Sequence, residues 1–551
     1  MDKLLEVART SGNGMTTGEP AAPRRRTWGE VHSRALAMAA ALRSSGVGRG
    51  DAVALLAGDP EMIAPAVQGV WLAGGSITML HQPTARTDLA TWADDTVRVL
   101  TMIGARRVLL GSPFEPIADV LMEHGVTVTG LDERLGDGRD GEPGAFEPVP
   151  VDETDTALLQ LTSGSTADPK AVRITHGTLW ANAGAMATAA DLKQESDVMV
   201  SWLPLFHDMG MVGFLIVPML FGVELVKVTP VEFLSGPLVW AELISRHRGT
   251  ITAAPNFAYA LLARRLATAE DGRYDLSTLR LAMNGAEPID PSAIEAFARG
   301  AGRFGMAPGA VLCAYGMAEA TLGVTFTPLD RGMVVDRIDA DDLEVRHHAT
   351  PAGDDAPDAT VRAFPLLGPP LPGIEVAVTG DDGERLGQRE VGLLRLRGES
   401  ISPGYLTVDG PVPTKDADGW LDTGDEGYLV GDEVVVCGRR KDVIIVGGRN
   451  VYPTDIERAA AGVEGVRAGN TAAVRLDAHG RRDRFAVAVE SREAEDAASA
   501  RRIRDEVTSR ITAQVGARPY VVEVLAPGSL PKTPSGKLRR AALRDRLLTA
   551  G

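Results

Sequence analysis

Cysteine is nearly absent: the chain holds only Cys313 and Cys437. Two distant thiols cannot build a disulfide framework or a structural zinc site, and they suit a reducing compartment. Lysine is scarce too, at eight positions: 3, 170, 193, 227, 415, 441, 532 and 537. Most cationic positions are arginine, so a lysine inside a loop of small polar residues stands out. Long apolar runs are missing. The most apolar stretch, 209–223, is too short to span a bilayer and contains Pro218, so it reads as a buried core segment. The first residues, Met-Asp-Lys-Leu-Leu-Glu, lack the apolar run of a secretory signal. A cytoplasmic chain without a membrane span is expected. Basic charge is in deficit: the net charge of −17 argues against nucleic acid as a partner.

What is present is an ordinary globular mix over 551 residues, 44% apolar and 24% charged. That length implies several modules. Charge is unevenly spread. Residues 439–551 carry 22 basic and 14 acidic side chains, a balance of +8, against −25 for the rest. A basic C-terminal fifth on an acidic body marks a separate small domain, which an anionic partner would suit.

Local patterns supply the elements. Thr27-Trp28-Gly29-Glu30 is a capping box opening a helix to about Arg43. Strands are expected at 52–57, 76–80 and 107–110, and helices at 60–72 and 89–103. This alternation indicates parallel sheets covered by helices. Residues 136–150 read as a linker. The pattern resumes at Thr156 and passes Leu322. Residues 341–372 look irregular, and 375–397 look like β structure turning at Gly380-Asp381-Asp382-Gly383. In the last module, 501–515 is the clearest helix and 521–525 the clearest late strand.

The chemistry begins at Leu158-Leu159-Gln160-Leu161, an apolar strand running into Thr162-Ser163-Gly164-Ser165-Thr166-Ala167-Asp168-Pro169-Lys170. A loop of glycine, hydroxyls and one lysine between two strands is suited to wrapping phosphates. It lacks the terminal Gly-Lys-Ser/Thr of a Walker A loop. Further clusters follow: Asn284-Gly285-Ala286-Glu287, Tyr315-Gly316-Met317-Ala318-Glu319, Trp420-Leu421-Asp422-Thr423-Gly424-Asp425, Gly438-Arg439-Arg440-Lys441-Asp442, and Pro531-Lys532-Thr533-Pro534-Ser535-Gly536-Lys537.

In this order the clusters resemble the adenylate-forming superfamily of acyl-CoA synthetases, nonribosomal adenylation domains and luciferases, over nearly the whole chain. The resemblance implies an α/β fold: a large N-terminal domain over 1–438, with a β-rich subdomain at about 365–438, and a small mobile α+β domain over 439–551. It implies ATP and Mg²⁺ as cofactors. A carboxylate attacks the α-phosphate of ATP, so no general base is needed, only cations, positioning and exclusion of water. Thr162, Ser163, Gly164, Ser165, Thr166 and Lys170 would hold the phosphates. Gly285, Ala286, Glu287, Tyr315, Gly316 and Met317 would frame the adenine. Glu319 matches the magnesium-binding acid, with Thr166 near the metal. Asp425 and Arg439 would hold the ribose, Lys537 would bridge carboxylate and α-phosphate, and Lys441 would be the hinge. Ala167, Ala171 and Ala318 depart from the family pattern.

Ser201-Trp202-Leu203-Pro204-Leu205-Phe206-His207-Asp208, Ala318-Glu319-Ala320-Thr321 and Gly447-Gly448-Arg449-Asn450-Val451-Tyr452-Pro453 resemble one branch, the fatty acyl-AMP ligases. That branch passes the acyl group to an acyl carrier protein, or to a carrier domain of a polyketide or nonribosomal synthase. The stretch at about 341–364 sits where this branch carries an insertion that restrains the C-terminal module. His207 would be a gate or wall between the ATP and acyl sites, and the apolar run from Met211 to Leu220 with Pro255, Phe257 and Tyr259 would line a tunnel for the alkyl chain. A fatty acyl-CoA synthetase, or a nucleotide-binding pseudoenzyme acting as a scaffold, are the competing readings.

Overall fold

The computed structural model describes residues 2–83, 88–131, 146–162, 168–476, 484–532 and 538–549. Its N-terminal helices start where short polar side chains satisfy free amides. Thr27 and Glu30 form the capping box of helix Trp28–Ser44. Asp59 caps Pro60–Leu72, and Asp88 caps Leu89–Ile103. Helix Pro60–Leu72 is buried along its whole length. It packs against Trp28–Ser44 in a core that draws side chains from two sheets.

Each of those sheets has eight strands. In the first, six parallel strands run in the order Val311–Gly316, Leu281–Asn284, Ile251–Ala254, Val198–Ser201, Glu224–Lys227 and Gly14–Thr17, with an antiparallel strand at each edge. In the second, Thr156–Thr162, Ser76–Met79, Ala52–Leu56, Arg107–Leu110 and Thr127–Gly130 are parallel. Lys170–Thr175, Gly404–Thr407 and Gly410–Pro413 extend that sheet in antiparallel fashion. A third, four-stranded antiparallel sheet is built from Ile374–Thr379, Gly392–Gly398, Leu421–Val430 and Glu433–Arg439. The C-terminal module packs Pro453–Ala461 and Ala497–Val515 on a three-stranded sheet with a core of its own. The fold is thus mixed α/β with a β-rich region and an α+β end, as expected. No helix among the described residues is long and apolar enough to cross a membrane.

One expectation needs correction. The stretch 341–372 is irregular only in part. It holds helix Ala340–Arg346 and strand Val361–Pro365, which pairs with Val335–Asp339. Asp339 caps the helix through the Asp342 amide at 2.9 Å. Glu344, fully buried, pairs with Arg362 of the strand at 2.7 Å. Tertiary ion pairing therefore orders a segment whose composition reads as loop. The apolar run from 209 is a buried core segment, as expected, although its winding is not that of an ordinary α-helix. Met209–Ile216 winds wide, the Val217 amide donating to Val212 O five residues back, and Phe214 has φ −124°.

Candidate active site

Both parallel sheets aim their carboxyl ends at one cavity, the usual place for a ligand in an open α/β sheet. Residues at or just past the ends of four strands line it: His81, Thr162, Phe206 with His207, and Gly285 with Ala286. Tyr315 and Gly316 close strand Val311–Gly316 on the same wall. The cavity measures about 360 Å³. One end is polar, with Thr162, Lys170, Tyr315, Glu319, Arg439 and Lys441; the other is apolar, with Met186, Ala190, Leu192, Phe214, Val217 and Leu281.

The polar end is built by cross-strand contacts. Asp425 and Arg439 are register partners on adjacent antiparallel strands, and Arg439 Nε lies 2.7 Å from Asp425 Oδ1. Tyr315 Oη donates to Asp425 Oδ2 at 2.6 Å. Burial pushes the Asp425 carboxyl up, opposed by Arg439 and Tyr315. Glu319 sits on a short turn, Ala318–Ala320, held because Ser402 N donates to Glu319 O at 2.8 Å. The next residue but one, Thr321, has φ +71° and donates its hydroxyl to Ser400 O at 2.9 Å. Tyr405 Oη donates to Glu319 Oε1 at 2.7 Å. Burial, then the Glu319 charge, push that phenol up, so it remains a donor. Lys441 has its ammonium pushed down by burial, with Arg439 and Lys170 nearby.

Two backbone features shape this wall of the cavity. A side chain at Gly316 would place Cβ 2.2 Å from Leu322 O, so only glycine fits. Ala286 holds φ +70°, a left-handed conformation that alanine adopts only at a cost. Thr162 Oγ1 is buried with no hydrogen-bond partner among the described residues. A phosphate oxygen would satisfy such an orphaned hydroxyl. Among the described residues, no group of three or more His, Cys, Asp or Glu side chains could hold a metal. One carboxylate, Glu319, fits Mg²⁺ arriving with substrate phosphates and water, since that ion takes few protein ligands.

The remaining expected site residues divide. Met317 and His207 line the cavity, and His207 Nδ1 lies 2.7 Å from Asp208 Oδ1. Glu287 is not on the cavity wall; its carboxylate accepts from Phe257 N at 2.7 Å, at the start of helix Asn256–Leu266. Met211, Pro255 and Phe257, expected in the tunnel, are absent from its lining. Met211 is fully buried in the core, and Phe257 meets Trp202 edge-on at 6.3 Å. The wide winding at Met209–Ile216 turns Gly213 and Phe214 to the cavity instead. Ser163, Gly164, Ser165, Thr166 and Lys537 lie outside the described residues.

Sequence reading missed His81, Tyr405 and Lys227. His81 lines the cavity edge-on to Phe206 at 5.9 Å, and burial, then the charge of His207, push its pKa down. Lys227 is almost wholly buried and donates to Leu203 O and to Val228 O, fastening the segment that leads to Phe206 and His207. Burial pushes its pKa down to about 7. Gly404-Tyr405 was the available signal for Tyr405; nothing local marks the other two.

Comparison with known families agrees with this geometry. The model for AMP-binding enzymes matches residues 9–406, and that for the AMP-binding enzyme C-terminal domain matches 448–543. The chain belongs to the AMP-binding enzyme family. It is 53% identical over 542 residues to a putative ligase, Rv1013, of Mycobacterium tuberculosis, covering 98% of each protein. It is 30% identical to the long-chain-fatty-acid–AMP ligase FadD26 of Mycobacterium marinum, covering 95% of this chain and 92% of that one. A solved structure from a study of fatty acyl-adenylate ligases from E. coli and L. pneumophila superposes with TM-score 0.89 at 30% identity, over 100% of this chain and 97% of that chain. The L. pneumophila fatty acyl-adenylate ligase in complex with acyl adenylate and pyrophosphate superposes with TM-score 0.73 at 26% identity, over 99% and 96%.

Proposed function

We propose that this AMP-binding enzyme joins a fatty acid to AMP, releasing pyrophosphate, and then transfers the acyl group to the phosphopantetheine thiol of an acyl carrier protein. The observation that carries this reading is the single cavity with a nucleotide-like polar end and an apolar arm. In the first step a carboxylate oxygen bonds to the α-phosphorus of ATP and the bond to the β-phosphate breaks. In the second the thiol bonds to the acyl carbon, its proton is lost, and AMP leaves.

Each group has a role here. Thr162 and Lys170 take phosphate oxygens, with Ser163, Gly164, Ser165 and Thr166 completing the loop. Gly285, Ala286, Gly316 and Met317 flank the adenine, with the Tyr315 ring as a stacking face. Asp425 accepts from the ribose hydroxyls, with Arg439 and Tyr315 fixing its carboxylate. Lys537 bridges the two reacting anions, which would otherwise repel. Magnesium, when bound at Glu319, offsets phosphate charge. The apolar arm, from Met186 to Val217, takes the alkyl chain and excludes water.

We place the boundary between the two modules at residue 439 and the hinge at Lys441. The separate C-terminal core supports that division. The choice of carrier protein over free CoA is supported by how the small module is held. Glu344, in the segment at 341–364, accepts from Arg449 Nε of the small module at 2.9 Å. Arg458 donates to Ala363 O at 3.2 Å and to Ile289 O at 2.9 Å. Tyr452 is fully buried in a cluster with Phe364 and Cys437. Such an interface disfavours the rotation that would admit CoA. The deciding experiment supplies purified acyl-adenylate with holo carrier protein or with CoA. Carrier acylation at least tenfold faster than CoA thioester formation is expected. Efficient CoA thioester formation without carrier turnover would replace this reading with an acyl-CoA synthetase.

A further inference from the structure

Lys170 and Glu319 stand 3.9 Å apart, beyond hydrogen-bond reach, although both lie in a partly desolvated cavity. Opposite charges so placed close to roughly 2.8 Å unless something holds them apart. Tyr405 does so with both ends of its side chain. Its hydroxyl donates to Glu319 Oε1 at 2.7 Å, and its ring seats Lys170 Nζ 4.1 Å from the centroid. Strand register produces this arrangement. Lys170 pairs with Thr407, which puts Tyr405 on the same face, one diagonal step along the neighbouring strand.

We propose that Tyr405 is a positioning residue that keeps the phosphate-binding cation Lys170 from neutralising the metal-binding acid Glu319. This rests on the adenylation reading above. With the ring in place, Lys170 faces incoming phosphates and Glu319 keeps an oxygen for a divalent cation. Without it the two collapse into a closed ion pair, and the cation must displace a bound ammonium to reach the acid.

The test is ATP binding by titration calorimetry at a series of Mg²⁺ concentrations, with the full chain and no fatty acid, so that no chemistry occurs. Tyr405→Leu is expected to raise the Mg²⁺ concentration at half-effect about fivefold or more. In a Lys170→Met background the same substitution is expected to shift it by less than about twofold, since the competing ammonium is gone. A merely structural tyrosine would give equal shifts in both backgrounds, and that result, or no shift in Tyr405→Leu alone, overturns the proposal. If Tyr405→Leu fails to fold, Tyr405→Met, which also lacks a π face, takes its place. Failure of the wild-type chain to bind ATP at any Mg²⁺ concentration would instead remove the adenylation reading.

Discussion

Glu344→Gln changes one atom and removes one buried charge. Its carboxylate, fully buried, faces two guanidinium groups. Arg362 approaches through Nη2 at 2.7 Å and Nε at 2.9 Å, and Arg449 through Nε at 2.9 Å. Arg362, itself 4% exposed, would keep its bonds to the Ala359 and Val361 carbonyls but, among the described residues, Asp455 as its one remaining carboxylate, with Oδ2 3.5 Å from its Nε. A glutamine presents an NH₂ to one of two groups that only donate. Breaking a buried pair by removing one partner costs about 3–5 kcal/mol. Arg449 is partly exposed and contributes toward the lower end. With a denaturant slope of about 3 kcal/mol/M, the urea midpoint should fall by about 1 M. The assay is urea unfolding at pH 8, followed by far-UV circular dichroism, beside limited proteolysis of the folded protein. Cleavage near residues 439–442 should accelerate, because Arg449 is the side chain that ties the small module to Glu344. A midpoint within about 0.2 M of wild type, with unchanged cleavage, would refute the reasoning that this network holds the module.

Other outcomes follow from the cavity and from burial. Met186→Trp, in the apolar arm, should lower kcat/KM for long acyl chains at least about tenfold, a loss of about 1.4 kcal/mol, while leaving the KM for ATP within about twofold; kinetics over an acyl-chain series check this. His176 is half-buried, its Nε2 buried and without a hydrogen-bond partner among the described residues, and its pKa is pushed down from 6.5 to about 4, chiefly by desolvation. The unfolded chain therefore binds the extra proton between those values, so stability is full above pH 6.5 and is lost as pH falls toward 4. That loss amounts to about 3 kcal/mol. Melting of wild type and His176→Gln at pH 7 and pH 4.5 should show a smaller acid-induced loss in the variant.

The N-terminal elements were legible because local chemistry decides them. Asp59 and Asp88 cap their helices, and the helical spans 60–72 and 89–103 agree with the structure to the residue. The late strand Val521–Leu525 does so as well. Helix Ala340–Arg346 was not legible, since seven residues rich in acid read as loop until Arg362 and Arg449 supply the opposite charge from distant segments. The same limit applies within the site. Motif residues such as Thr162, Lys170, Tyr315 and Asp425 could be found in sequence because their neighbours mark them. The apolar arm could be found only in part. It draws on the helix at 176–189 and on a wide winding that no periodicity announces, so Met211 turns into the core while Phe214 meets the cavity. Tyr405 acts through side chains that meet only when Gly404–Thr407 joins the second sheet.

The most direct measurement of the central claim is the exchange of labelled pyrophosphate into ATP, run with a panel of fatty acids and Mg²⁺. Fatty-acid-dependent exchange, with acyl-AMP identified by mass spectrometry and exchange abolished in Lys537→Ala, is the result this account predicts. Absence of exchange and of acyl-AMP with every fatty acid, under conditions where the chain remains folded, would contradict it.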